Sequence, residues 1–289
     1  MSNSRQSWII VNDQIHRRDE LLIPVDARAV RYGDGCFETF RSYQGRFLKL
    51  EAHLERLKGA LEYLRIIPSI ELEDKSFREK ILELLTENQL RDEDAVVRIQ
   101  VWREGGRGFS ISREADSGYC ITVSKLPQIS RAVSLATVAT RRIPAEALNP
   151  RFKLSNSINY IQAATQASEQ QADDALMLTV DGLVAETTIA NIFWVNDQTV
   201  CTPSIDCDIL PGITRNMILE ILATKFDVSV REGQFTTADL KHADAAWICN
   251  SVRELVPVRK IDDQTFSLEN SFFLKLKEAF KSYKNKLLA

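Results

Sequence analysis

Leu183-Val184-Ala185-Glu186-Thr187-Thr188-Ile189-Ala190-Asn191-Ile192-Phe193-Trp194 is the stretch that organises the second half of this chain. Two apolar runs flank a polar corner, and Asp181-Gly182 just before them is a hairpin turn signal. Leu176 to Val180 and Leu183 to Ala185 therefore form the arms of a hairpin. Asn191 to Val195 follows as a third strand and turns over Asn196-Asp197 into Thr199 to Thr202. Further on, Pro211-Gly212 opens a helix over 213–226, Ala245 to Cys249 is a short buried strand, and 268–286 is a terminal helix with a lysine-rich face.

The first half mixes elements in the same way. Trp8 to Ile15 reads as a strand with a turn at Asn12-Asp13. Phe37 to Tyr43 and Arg46 to Leu50 are two strands joined across Gln44-Gly45. Leu50, Leu54, Leu57, Leu61 and Leu64 recur at helical spacing over 50–65, and Phe77, Ile81, Leu84 and Leu85 do so over 74–90. Ala95 to Trp102 and Tyr119 to Val123 are strands on either side of a glycine-rich loop. Leu126-Pro127-Gln128-Ile129-Ser130 is the candidate linker, Val133 to Thr140 a strand and Ile158 to Gln170 a helix. The expected class is α+β, with an N-terminal domain over 1–126 and a C-terminal domain over 127–289 that carries Lys153.

Composition narrows the function. A chain of 289 residues, 44% hydrophobic, can bury two cores. Net charge of -3 and a pI near 5.8 argue against nucleic acid as a partner. The N-terminus, Met1 to Trp8, lacks a signal-peptide layout, and no apolar stretch has membrane-spanning length. Five scattered cysteines without a Cys-x-x-Cys pair fit reduced thiols in a cytoplasm. Three histidines make a metal centre unexpected.

The chemistry-bearing residues come in a fixed order. Phe152-Lys153-Leu154-Ser155-Asn156 supplies an amine, Glu186 an acid at a strand end, and Leu210-Pro211-Gly212-Ile213-Thr214-Arg215 a helix start. The free N–H groups of Ile213 and Thr214 suit an anion, assisted by the helix dipole. An aldehyde cofactor with a ring nitrogen and a phosphate would use all three, which describes pyridoxal 5'-phosphate. The ordered set resembles the class IV (fold type IV) pyridoxal-phosphate family. The resemblance extends to Arg31-Tyr32-Gly33-Asp34-Gly35-Cys36-Phe37-Glu38-Thr39-Phe40-Arg41, to His53-Leu54-Glu55-Arg56-Leu57, to Thr202-Pro203 and to Cys249-Asn250-Ser251, over about residues 31–260.

That resemblance implies a D-amino-acid-aminotransferase-like two-domain fold with the active site at the domain interface. It implies Lys153 as the Schiff-base lysine and proton carrier, and Glu186 as partner of the ring nitrogen. Arg56, Ile213, Thr214, Asn250 and Ser251 would hold the phosphate, and Arg107 and Phe37 would meet the substrate. A cytoplasmic homodimer acting on a small amine or amino acid is expected. Within the family, Arg103-Glu104-Gly105-Gly106-Arg107-Gly108-Phe109 is similar to the loop of 4-amino-4-deoxychorismate lyase, an enzyme of folate synthesis. It lacks the Arg-x-His trap of the D-amino-acid enzymes. Cys249-Asn250-Ser251 and Gly33-Asp34-Gly35-Cys36-Phe37 lean the same way. Ile158 stands where branched-chain aminotransferases carry a tyrosine. Glu38-Thr39 departs from the paired threonines of some lyases. An amino-acid aminotransferase, branched-chain or D-specific, is the alternative.

Overall fold

Alternation along Cys36-Phe37-Glu38-Thr39-Phe40 sends every second side chain to the same face of a strand. In the computed structural model, which describes residues 7–21, 23–70, 72–110 and 116–289, Cys36, Glu38 and Phe40 are buried while Phe37 and Thr39 are half-exposed. Met1 to Gln6, read above for a signal layout, and residues 111–115 of the glycine-rich loop lie outside the described residues. The chain forms two compact units, one of Met1–Pro127 with Phe152–Ser157 and one of Gln128–Arg151 with Ile158–Ala289.

The first unit contains β1 (Trp8–Val11), β2 (Gln14–Arg17), α1 (Arg28–Tyr32), β3 (Gly35–Tyr43), β4 (Arg46–Phe47), α2 (Leu50–Leu64), α3 (Asp74–Glu87), β5 (Asp94–Arg103) and β6 (Ser117–Lys125). Its sheet runs β2-β1-β6-β5-β3-β4 and is antiparallel throughout. Leu50, Leu54, Leu57 and Leu61 of α2 and Phe77, Ile81, Leu84 and Leu85 of α3 pack with Phe40, Val97, Ile99 and Val101 in one core. Each such side chain contributes roughly 1.5–3 kcal/mol on leaving water. The strand expected over Arg46–Leu50 stops at Phe47, because Lys49 turns left-handed (φ 55°) and Leu50 opens α2.

One departure bears on the site. Lys153, expected in a domain spanning 127–289, belongs to the first unit. Phe37 N donates to the Lys153 carbonyl at 2.9 Å, and Ser155 N to the Gly35 carbonyl at 2.9 Å. The lysine segment thus pairs with the opening of β3, where β4 does not reach. The Phe152 ring packs against Tyr63 of α2, with centroids 5.4 Å apart.

The second unit contains β7 (Val133–Thr137), α4 (Ile158–Glu169), β8 (Asp174–Leu178), β9 (Val184–Thr187), β10 (Asn191–Asn196), β11 (Thr199–Pro203), α5 (Ile213–Lys225), β12 (Ser229–Gly233), α6 (Thr237–Leu240), β13 (Ala245–Asn250), β14 (Glu254–Ile261), β15 (Gln264–Thr265) and α7 (Ser271–Leu288). Its mixed sheet runs β12-β11-β10-β13-β14-β7-β8-β9, with β15 on β14. The three pairs β11/β12, β14/β7 and β7/β8 are parallel. Phe193 and Trp247 face each other on neighbouring strands and stack at 5.8 Å. Ala163 and Ala167 let α4 lie close on Ala136, Ala175 and Met177. No helix among the described residues is long and apolar enough to cross a membrane.

Candidate active site

A carboxylate on the apolar face of a strand needs a partner, since burial penalises its charge. Glu38 is 1% exposed and has two. Arg56 donates to it through Nε at 2.6 Å and Nη2 at 2.9 Å, and His53 Nδ1 lies 2.8 Å from Oε2. Helical spacing places His53 and Arg56 on the same face of α2, toward β3. Burial pushes the Glu38 carboxyl up, but the Arg56 charge and these hydrogen bonds outweigh it and bring it down to about 2. His53 is held below its ordinary range by burial, against the pull of Glu38 and with the help of the Arg56 and Lys153 charges. A neutral imidazole and an ionised carboxylate thus fix the guanidinium of Arg56 in one plane.

Around the start of β3, the Lys153 Nζ stands 5.1 Å from the centroid of the Phe37 ring. The Arg98 guanidinium lies over the same ring at 3.7 Å. The amine therefore has an aromatic wall and a second cation beside it. Arg107 is exposed on the loop after β5 and makes no ion pair among the described residues.

The second unit gathers the other expected residues. Glu186, 4% exposed at the end of β9, accepts from Tyr160 Oη (3.1 Å), Asn191 Nδ2 (3.2 Å) and Leu210 N (3.0 Å), and Arg142 Nε lies 3.3 Å away. Hydrogen bonds from Tyr160, Asn191 and Leu210 N and the Arg142 charge, drawn from separate places in the chain, hold this acid in place. The Arg142 guanidinium also stacks on Tyr160 at 4.5 Å, and burial pushes the Tyr160 phenol up, so it stays a donor. Asn191 bonds the Leu210 carbonyl at 2.9 Å as well, tying the acid to the segment that opens α5. Gly212 is needed there, because a Cβ would collide with Asn191 Oδ1.

At that helix start Gly212 caps α5 without a side-chain bond. The N–H groups of Ile213 and Thr214 therefore lack helical partners and carry the positive end of the dipole. Thr214 Oγ1 lies 3.5 Å from Ser251 Oγ, which brings the turn after β13 to the same place. Asn250 spends its side chain on that turn: Oδ1 accepts from Val252 N and Arg253 N, and Nδ2 donates to the Ile189 carbonyl. Burial pushes the Cys36 and Cys249 thiols up to about 12, which keeps them unreactive.

Several residues of these clusters escaped the sequence reading. Glu38 carried a signal, because it alternates with Cys36 and Phe40 on an apolar face. Arg98 and Gln100 share the half-exposed face of β5. Tyr160 and Arg142 gave no local sign, since their partner lies 26 residues beyond Tyr160.

The sequence model for amino-transferase class IV matches residues 35–261, which includes both clusters. The chain belongs to the class IV aminotransferase family. A putative branched-chain-amino-acid aminotransferase of Methanocaldococcus jannaschii is 32% identical over 283 residues, 96% of either chain. An aminodeoxychorismate lyase of Vibrio harveyi is 33% identical over 248 residues, 83% of this chain and 87% of its own. The holo branched-chain aminotransferase structure from Thermobaculum terrenum superposes with a TM-score of 0.86 at 21% identity, covering 97% of this chain and 94% of its own. Enzymes of the class depend on pyridoxal 5'-phosphate. Each unit holds residues that fit that group: a lysine amine and a fixed guanidinium in the first, and a buried carboxylate and a helix start in the second.

Proposed function

We propose that this class IV enzyme is an aminodeoxychorismate lyase, which converts 4-amino-4-deoxychorismate to 4-aminobenzoate and pyruvate. The loop after β5 carries the reading. Its exposed Arg107 is a bidentate donor for a carboxylate, and no histidine accompanies it. Arg98 beside Phe37 adds a second positive group near Lys153, which suits a substrate with more than one carboxylate. The lyase of Vibrio harveyi supports the same choice.

Bound pyridoxal phosphate supplies a carbonyl for the substrate amine and a protonated ring that draws electrons from the carbon bearing it. Glu186 would hold the proton on the cofactor's ring nitrogen, and Tyr160, Asn191, Leu210 N and Arg142 hold Glu186. In the second unit Ile213 N, Thr214 N and Ser251 would bind the phosphate, with Asn250 shaping the turn that presents Ser251, and in the first unit Arg56 would offer its fixed guanidinium to an anion. Lys153 would hold the cofactor and, as base, would take the proton from the amine-bearing carbon. Phe37 lines the substrate's side of the amine, and Arg107 holds a carboxylate. Loss of that proton, with cleavage of the substrate ring's C–O bond to the enolpyruvyl group, would leave the substrate's ring aromatic and release pyruvate, so no keto acid is consumed. The enzyme works as a cytoplasmic homodimer in folate synthesis.

Amino transfer is the second reading, favoured by the Methanocaldococcus jannaschii relative that spans nearly the whole chain. Purified enzyme with aminodeoxychorismate and no keto acid separates the two. Release of pyruvate and 4-aminobenzoate is the expected result. Turnover only when 2-oxoglutarate or pyruvate is added, with an amino acid as donor, establishes the transaminase instead.

A further inference from the structure

The loop that carries Arg107 is poor at holding itself. Gly105, Gly106 and Gly108 surround the arginine, and Gly105 (φ 116°) and Gly108 (φ 102°) adopt backbone angles that other residues disfavour. A Cβ at any of the three would meet nothing within 4 Å, so the glycine positions themselves are not packed in place. A glycine-rich segment of this kind loses much conformational freedom when it is ordered. A functional arginine there needs an outside anchor.

Helix α1 provides one. Arg28, 6% exposed, donates through Nη1 to the carbonyls of Gly106 (3.0 Å) and Gly108 (2.8 Å), the two residues that flank Arg107. Its Nε is fixed on Asp34 Oδ2 at 2.7 Å, and Arg103 Nε reaches the same oxygen at 3.0 Å. Tyr32, one helical turn on, completes the grip. Its Oη accepts from Gly108 N at 3.1 Å, its ring packs on Phe109 at 5.5 Å, and the Arg28 guanidinium lies 5.1 Å from its centroid. Both neighbours of Arg107 are pinned by backbone contacts while its own side chain stays exposed.

We infer that Arg28 and Tyr32 form a clamp that positions Arg107, and that this clamp determines how tightly the enzyme holds a substrate carboxylate. The inference rests on the proposed role of Arg107. Arg28 and Tyr32 are positioning residues that act through the loop backbone and touch no reacting atom. Weakening the clamp lets Arg107 sample many orientations, so ground-state binding suffers more than the chemical step.

The test uses the cofactor-loaded full chain with Arg28→Lys, Tyr32→Phe and Arg107→Gln. Arg28→Lys keeps a charge for Asp34 but loses the two-carbonyl grip, and Tyr32→Phe removes one hydrogen bond without emptying space. KM for the carboxylate substrate that the enzyme turns over should rise about tenfold in Arg107→Gln and Arg28→Lys, with a smaller rise in Tyr32→Phe. The fall in kcat should be less than the rise in KM. Trypsin cleavage after Arg107 should accelerate in both clamp variants, a readout independent of activity. An unchanged KM in Arg107→Gln overturns the reading of Arg107 and the inference with it. A raised KM in Arg107→Gln beside wild-type KM and wild-type cleavage in Arg28→Lys overturns the clamp alone.

Discussion

Glu38 and Glu186 are both buried carboxylates beside an arginine, yet the two clusters are built for opposite ends. In the first unit the carboxylate is the support. Glu38 spends both oxygens on Arg56 and His53, all on one strand and the helix over it, and holds a guanidinium still. In the second unit the arginine is the support. Arg142 joins Tyr160, Asn191 and the Leu210 amide in holding Glu186, the acid we propose for the cofactor's ring nitrogen. A buried ion pair therefore has to be read by which partner the surroundings constrain. One made of near neighbours steadies the fold and steers a cation. One made of distant segments fixes an acid at the cost of folding those segments together.

The largest expected effect lies outside both clusters and calibrates them. Lys153→Ala should lower kcat by about a thousandfold, the scale of a lost general base, with an unchanged melting profile. The contrast itself is sharpened by a pair of amides. Glu38→Gln leaves Arg56 charged and buried without its counter-ion, and should cost about 3–5 kcal/mol in urea unfolding. Glu186→Gln keeps a single acceptor oxygen where Tyr160 and Leu210 N now use one each, so it also costs stability, and it should remove more turnover than Glu38→Gln. A greater loss of kcat in Glu38→Gln would break the comparison.

Acid should undo the first cluster in two stages. His53 has a folded-state pKa below its unfolded value, so the unfolded chain binds the extra proton first and stability falls as pH drops below about 6.5. Glu38 is held at about 2, so its contribution is complete above its ordinary value near 4.5 and is lost as pH falls toward 2. Glu38→Gln should flatten the lower limb of a plot of unfolding free energy against pH. A lower limb as steep as that of the wild type would show that another group sets it.

Smaller effects probe the second cluster. Gly212→Ala should cost about 1–3 kcal/mol, because the new methyl meets Asn191 Oδ1 and something must shift. Combining it with Asn191→Ala should give less than the sum of the two single losses, as measured by chemical denaturation. Tyr160→Phe should cost only about 0.5–1.5 kcal/mol, the loss of one hydrogen bond to Glu186.

What could be read in advance follows from range. The leucine spacing of α2, the hairpin around Asp181-Gly182 and the helix start at Gly212 are local patterns, and they stand in the structure. β14 went unread because Pro257 interrupts its apolar run, although Pro257 sits opposite Trp247 in register. α1 and α6 are five and four residues long, too short for periodicity to show. The same limit separates the site residues. Lys153, Glu186 and the Gly212–Thr214 start are recognisable from their own neighbours. Arg142, Tyr160 and Arg28 take their meaning from partners far along the chain or from a loop they hold, which no local pattern encodes.

Reduction of the cofactor-loaded enzyme with borohydride, followed by peptide mapping, tests the central assignment most directly. The account predicts a single pyridoxyl label on the peptide containing Phe152-Lys153-Leu154, at the segment paired to β3. A label on any other lysine would contradict it, and with it the roles given to Phe37, Glu186 and Arg56.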